Sequence, residues 1–184
     1  MAAQMIRKNN VKVIQVVRDP RGMSSSRARF QIYKKYKNTP SRDEMLDKLD
    51  DIVRNYCAWM ETNYVSVMHG PEWLRNNYKI VRFEDLVARP AESAAALYKF
   101  VGLPITDKVR QKIRTLEEEK PMDAEAWRFK TGMELARRAQ EMCSPTVYDM
   151  FGYRMINRGG ILMNKNFSLV GDLPRSSMFL LDNI

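Results

Sequence analysis

"VKVIQVVRDPRGMSSSR", residues 11–27, is the stretch whose reading decides the fold. It opens as a nearly continuous β-branched run, Val11 to Val17. That is the pattern of a strand buried on both faces of a parallel sheet. Asp19-Pro20 ends the strand, because proline cannot continue a central ladder and restricts the residue before it. A helix is predicted from about Arg21 through Tyr36, with Thr39-Pro40-Ser41 as the next break. In α/β proteins ligands bind beyond the carboxyl ends of such strands. Arg18 leaves the strand at that place, and Ser24, Ser25 and Ser26 fall in or just before the first helical turns. Free backbone N–H groups, hydroxyl donors and a guanidinium fork together suit a dianionic phosphate. Arginine matters because its planar donors bind two phosphate oxygens at once. The plainer alternative is that Arg18 and Arg21 are solvated and the serines cap a helix.

Outward from this stretch, Met45, Leu49, Ile52, Val53, Tyr56, Met60 and Tyr64 keep helical spacing and predict a long amphipathic helix from Arg42 to about Met68, with Cys57 at the edge of its apolar face. His69-Gly70-Pro71 stops it. "YKIVRF", Tyr78 to Phe83, reads as a second short buried strand. Pro90 opens the next helix and Gly102 closes it, with Ala94, Leu97, Tyr98 and Val101 as its buried stripe. Val109, Ile113 and Leu116 mark a further helix. Thr131 with Glu134 reads as a capping box, ahead of an inner face of Leu135, Ala139, Met142 and Cys143. After Tyr153 the pattern fades. Strands alternating with helices predict an α/β domain with a parallel sheet flanked by helices.

The bulk properties narrow the classes. The 184 residues suffice for one domain with a sizeable core, and 45% hydrophobic with 29% charged residues is an ordinary globular balance. A net charge of +9 favours anionic partners: nucleic acid, nucleotides, acidic sugars or anionic lipid. No stretch approaches the roughly 20 apolar residues of a membrane span. "MAAQMIRKNN" lacks the apolar middle of a signal peptide, so the chain as written would start in the cytosol. One histidine, His69, and two cysteines, Cys57 and Cys143, predict no metal site. A nucleic-acid role would rest on the charge and on Lys34, Lys35 and Lys37, but aromatic residues are not interleaved with these lysines as on stacking platforms. No nucleic-acid partner is expected.

At this point the chain resembles the sulfotransferases that use 3′-phosphoadenosine 5′-phosphosulfate. "VVRDPRGMSSSR" is similar to their 3′-phosphate-binding segment, in which an arginine at the strand exit and a serine eight residues later hold the phosphate. Those positions are Arg18 and Ser26 here, and Arg27 fits the carbohydrate-sulfotransferase version. "YKIVRFEDLVARPAESAAALYKFVGLP" resembles the family's second strand, its Arg-Tyr-Glu-Asp-Leu signature and the helix ending in Phe-x-Gly. "WRFKTGMELARRAQEMCSPTVYDMFGYRMI" resembles the Trp-Arg, late cysteine and Phe-Gly-Tyr stretch of the Golgi galactose and N-acetylglucosamine 6-O-sulfotransferases. The resemblance covers roughly residues 11–156.

It implies a P-loop-like sulfotransferase fold, incomplete at the N-terminus, over residues 1–156, with 157–184 as a tail. It also implies transfer of a sulfuryl group from 3′-phosphoadenosine 5′-phosphosulfate, with no metal, to a carbohydrate hydroxyl. The 6-hydroxyl of galactose or N-acetylglucosamine in a glycan or glycosaminoglycan would be the acceptor. Cofactor-binding roles are further implied for Phe83, where the family has a tyrosine near the adenine, for Thr115, and for Arg128 beside Trp127. The family's Gly- and Ser-rich 5′-phosphosulfate loop would lie upstream of Val11, as would a membrane anchor, and no such loop is read within the chain. An inactive nucleotide- or glycan-binding module is therefore the alternative function. The catalytic base is unassigned: His69 sits in a helix stop, and Glu84 and Asp85 are expected to brace the strand exit. Family resemblance implies the Golgi lumen, where Cys57 and Cys143 could pair or remain two buried thiols, and where Asn166-Phe167-Ser168 is a glycosylation sequon.

Overall fold

The computed structural model describes residues 8, 11–36, 41–118, 122–157 and 159–174. The side chains of Lys34 and Lys35, the whole of Lys37, Thr39 and Pro40, and residues 175–184 of the expected tail lie outside the described set. The chain divides into two compact units. One holds residues 1–17, 64–124 and 175–184, the other 18–63 and 125–174.

In the first unit, strands β1 (Val13–Val17) and β2 (Tyr78–Arg82) pair in parallel, with Val13 opposite Tyr78 and Val17 opposite Arg82. The expected parallel sheet flanked by helices is thus present. One detail differs: β1 is not buried on both faces. Gln15 and Val17 are buried, while Ile14 and Val16 are exposed. A β-branched run reports strand propensity on both faces alike, so periodicity alone cannot tell one covered face from two.

Helix α1 (Pro20–Tyr36) begins the second unit, and α2 (Arg42–Met68) runs from the second unit into the first. Asp19 caps α1, its Oδ1 accepting the Arg21 N–H at 2.9 Å. At the start of α2 the Ser41 hydroxyl accepts the Glu44 N–H at 3.3 Å, and Glu44 Oε2 accepts the Ser41 N–H at 2.9 Å. This is a capping box that the spacing argument passed over. Leu49, Val53, Cys57, Met60 and Tyr64 are buried, as the helical stripe required.

The first unit continues through α3 (Glu72–Arg75), α4 (Phe83–Ala88), α5 (Pro90–Val101) and α6 (Asp107–Glu118), with α5 packed on both α4 and α6. Gly102 ends α5 at φ 72°, a left-handed conformation that favours glycine.

In the second unit, a 3₁₀ turn (Ala126–Phe129) leads to α7 (Met133–Glu141), α8 (Pro145–Met150) and α9 (Gly159–Met163). The expected capping box at Thr131 does not form. Gly132 is the residue before α7, and the buried Thr131 hydroxyl instead donates to Ser25 Oγ at 2.9 Å. Trp127, Ala136, Ile156, Leu162 and Leu169 form a buried cluster here. Residues after Tyr153, which carry no readable periodicity, therefore contribute directly to this core. Cys57 and Cys143 are joined by a buried disulfide with Cα atoms 5.6 Å apart, which resolves the sequence alternative in favour of the bridge.

Candidate functional site: the exit of the first strand

The strand exit is held by its backbone. The Arg18 N–H donates to the Tyr56 hydroxyl at 2.7 Å, and that hydroxyl donates to the Arg18 carbonyl at 3.2 Å. Tyr56 is itself stacked on Trp59 at 5.6 Å. In the sequence Tyr56 was one more apolar position on a helix face. Only the fold shows that its hydroxyl grips both polar groups of one residue, leaving the half-buried Arg18 in a fixed place.

The next arginine does different work. Arg21 is completely buried. Its Nε and Nη2 clamp the Asp19 carboxylate at 2.9 and 2.6 Å, while Nη1 donates to Gln140 Oε1 at 3.0 Å and to the Arg154 carbonyl at 2.9 Å. The rings of Trp127 and Tyr148 lie 5.7 and 5.0 Å from its guanidinium carbon. Burial by itself would favour the neutral guanidine, but the Asp19 carboxylate outweighs it and holds the Arg21 pKa above its ordinary value. Burial, reinforced by the Asp19 charge, pushes the Tyr148 phenol up, with Arg21 opposing. Arg21 is therefore not solvated. It ties the start of α1 to α7 and to the segment after α8.

This anchoring sorts the serine run, which lies in the second turn of α1. The Ser24 hydroxyl turns back to the Arg21 carbonyl at 3.2 Å, and Ser25 accepts the hydrogen bond from Thr131. Both are buried, whereas Ser26 and Arg27 are exposed. Of three adjacent serines, the fold spends two internally and presents the third, Ser26, to solvent.

Arg128, expected to reach an anionic ligand, is 2% exposed. Nε donates to the Leu162 carbonyl at 2.9 Å. Nη1 donates to the Phe167 carbonyl at 2.6 Å and to Glu125 Oε1 at 3.1 Å. Nη2 donates to the Ile161 and Asn164 carbonyls at 2.6 and 3.0 Å. All five guanidinium hydrogens are engaged within the chain, which leaves none for a phosphate. A Trp-Arg pair looks the same in sequence whether the cation serves a ligand or the backbone. The carbonyls that claim this one come from a segment with no readable pattern.

The remaining expected positions belong to the first unit. Phe83 is half-buried at the first position of α4, just past β2. Thr115 is half-buried on α6, and its hydroxyl donates to the Gln111 carbonyl of its own helix at 3.0 Å. Asp85 braces the exit of β2, its carboxylate taking Arg82 Nε at 2.6 Å and Nη2 at 2.9 Å. His69 is exposed at the end of α2. Thus Arg18, Ser26 and Arg27 share one strand-exit and helix segment within one unit. Arg128, in the same unit, is committed elsewhere, and Phe83 and Thr115 lie in the other.

A cavity of about 410 Å³ in the first unit is lined by Leu86, Arg89, Glu92, Leu116 and Met122 among others, and one of about 730 Å³ in the second by Met133, Arg137 and Glu141 among others. None of the six expected binding residues lines either. Among the described residues, no helix is long and apolar enough to cross a membrane, and no cluster of His, Cys, Asp or Glu is placed to hold a metal.

The parallel strand pair with its flanking helices defines an α/β protein. Comparison with known proteins carries this further. The sulfotransferase domain family matches residues 1–122. Carbohydrate sulfotransferase 3 of Mus musculus is 28% identical over 179 residues, covering 88% of this chain and 38% of its own length. Carbohydrate sulfotransferase 1 is 30% identical over 182 residues in Mus musculus and 29% identical over 186 in Danio rerio, covering 88% and 89% of this chain and 43% of each relative. The chain belongs to the sulfotransferase family, with carbohydrate sulfotransferases as its relatives. It spans about two fifths of the length of these relatives. No solved structure matches it.

Proposed function

We propose that this chain carries the 3′-phosphate-binding part of a carbohydrate sulfotransferase that uses 3′-phosphoadenosine 5′-phosphosulfate. The observation that carries the reading is the sorting of residues 18–27. Tyr56 fixes the backbone of Arg18, Arg21 anchors the helix start from inside, and Ser26 and Arg27 alone of the serine run and its following arginine face solvent. The Arg18 fork and the Ser26 hydroxyl would hold the 3′-phosphate, and Arg27 would add a second positive charge beside it. Phe83 would stack near the adenine and Thr115 would approach it. Arg128 has no part in the ligand site. It holds the fold of the segment that follows.

When bound, the nucleotide supplies a sulfuryl group for in-line transfer. The acceptor sugar oxygen bonds to sulfur and gives up its proton as the bond from sulfur to the bridging phosphate oxygen breaks, giving adenosine 3′,5′-bisphosphate, a sulfated sugar and a released proton. The names of the relatives favour a glycan acceptor. A 6-hydroxyl of galactose or N-acetylglucosamine in a glycoprotein or glycosaminoglycan is the reading we carry. The buried Cys57–Cys143 bridge supports residence in an oxidising lumen, in keeping with a Golgi enzyme.

The test is calorimetric titration of adenosine 3′,5′-bisphosphate into the chain and its Arg18→Ala variant. Loss of a bidentate charged contact of about 2–3 kcal/mol weakens binding roughly 30- to 150-fold. Equal affinity in the two proteins would remove Arg18 from the site.

A further inference from the structure

We infer that Asn166 carries an N-linked glycan, placed on the outer side of the segment that Arg128 clamps. Two independent observations meet here. The first is the local geometry of the chain's single Asn-x-Ser/Thr triplet, Asn166-Phe167-Ser168. Asn166 is exposed in a turn following α9. The Asn164 side chain shapes this turn by accepting the Asn166 N–H at 2.9 Å, and the Asn164 carbonyl accepts the Phe167 N–H at 3.2 Å. The two residues that follow Asn166 are tied to the fold. Phe167 packs against the buried cluster around Trp127 and lies under the Arg154 guanidinium at 5.2 Å, and Ser168 Oγ donates to Glu125 Oε2 at 2.7 Å. The Asn166 carboxamide makes no hydrogen bond to any described residue, so a sugar on it displaces no contact of the fold.

The second observation is redox. Both cysteines of the chain are consumed in the buried Cys57–Cys143 bridge. A bridge of this kind forms and persists in an oxidising lumen, the compartment where asparagine-linked sugars are attached. The donor is a lipid-diphosphate-linked oligosaccharide, transferred by the host cell's own transferase. The Asn166 amide nitrogen bonds to C1 of the first sugar and loses a proton. The bond from C1 to the diphosphate oxygen breaks, and its electron pair leaves with the lipid diphosphate. In the folded chain the Ser168 hydroxyl, which the acceptor triplet needs, is engaged by Glu125. Transfer therefore precedes closure of residues 159–174 around Arg128 and Glu125.

The experiment is peptide mass mapping, under non-reducing conditions, of the protein isolated from the cells that make it. Samples are compared before and after an amidase that releases N-glycans and leaves aspartate at the linkage site. The peptide spanning residue 166 should be missing in unmodified form before treatment and appear afterwards with Asp at that position. An Asn166→Gln variant should migrate with the amidase-treated parent and bind adenosine 3′,5′-bisphosphate equally well, which separates this site from the nucleotide reading. Unmodified Asn166 in a chain with the Cys57–Cys143 bridge intact overturns the inference. Unmodified Asn166 beside reduced cysteines overturns it as well, by removing the lumen.

Discussion

Replacing Arg128 with methionine separates a ligand arginine from a structural one. Methionine keeps much of the buried stem and removes all five donors. Glu125 retains two partners, the Ser168 hydroxyl and the Leu169 N–H, both at 2.7 Å, so the acid is not stranded. The four carbonyls of Ile161, Leu162, Asn164 and Phe167 each lose the guanidinium as a partner. A buried acceptor left without a partner costs about 1–3 kcal/mol. The hydrogen bond to Leu162 is fully buried, while the Ile161 and Asn164 carbonyls keep the Asn164 and Phe167 N–H groups as partners and the partly buried Phe167 carbonyl recovers some energy from water. One full penalty and three partial ones amount to about 3 kcal/mol. With a urea m-value of about 2 kcal/mol/M, the unfolding midpoint falls by about 1.5 M at unchanged slope. Urea titration followed by tryptophan fluorescence reads this directly, since Trp127 adjoins the lost side chain in sequence and is buried beside it. Calorimetry without denaturant should give unchanged affinity for adenosine 3′,5′-bisphosphate. The reasoning is refuted by the opposite pair of results: a midpoint within about 0.3 M of the parent, with nucleotide affinity weakened tenfold or more.

Further outcomes follow from the same geometry. The Cys57–Cys143 bridge spans 86 residues of sequence, for which loop-closure entropy gives roughly 4.5 kcal/mol. The Cys57→Ser/Cys143→Ser double variant should approach that loss in urea, and a loss under about 1 kcal/mol would contradict it. Tyr56→Phe removes the hydroxyl that both accepts from and donates to Arg18, so titration should show nucleotide affinity falling about fivefold, for roughly 1 kcal/mol. A methyl group at Gly22 would stand 2.6 Å from Trp127 Cδ1, so Gly22→Ala should lower stability by about 1–3 kcal/mol and shift the Trp127 emission. The hydrogen bond from Arg138 holds the Asp50 carboxyl below its ordinary range. Its small contribution is present above the unfolded carboxylate pKa and is lost as pH falls through the folded one. Acid titration of stability should therefore be shallower in Arg138→Ala.

The sequence was legible where local chemistry and tertiary structure ask for the same residue. The stripe from Leu49 to Tyr64, the proline and glycine bounding α5, and the pairing-competent strands at Val13 and Tyr78 are readable because propensity and burial agree there. It was illegible where a residue's local signature is satisfied by a distant partner. Thr131 has the form of a helix cap and is taken by Ser25, 106 positions away. Arg21 has the form of a solvated turn arginine and is bound by Gln140, 119 positions away. Tyr56 has the form of a core aromatic and fixes the strand exit. The segment 159–174 hides its role for a related reason. It contributes two fully buried apolar residues, Leu162 and Leu169, two partly buried ones, Ile161 and Phe167, and a set of backbone carbonyls, and carbonyls leave no mark on a sequence.

This bears on how the positive charge should be read. Arg21, Arg82 and Arg128 are each paired with a carboxylate, from Asp19, Asp85 and Glu125 respectively, and each is 7% exposed or less. Such pairs cancel, so the net +9 resides wholly on other side chains. Two of the three flank the motifs that first suggested anion binding: Arg21 follows Arg18, and Arg128 follows Trp127. Counting arginines near a motif therefore overstates the ligand site. Exposure corrects the count, for it singles out Arg27 and the Ser26 hydroxyl on α1. The inward arginines then have a function of their own. A phosphate site gains affinity when its donors are held in place before the ligand arrives, and if residues 18–27 hold the phosphate as proposed, the buried Arg21–Asp19 pair would supply that rigidity at the start of α1.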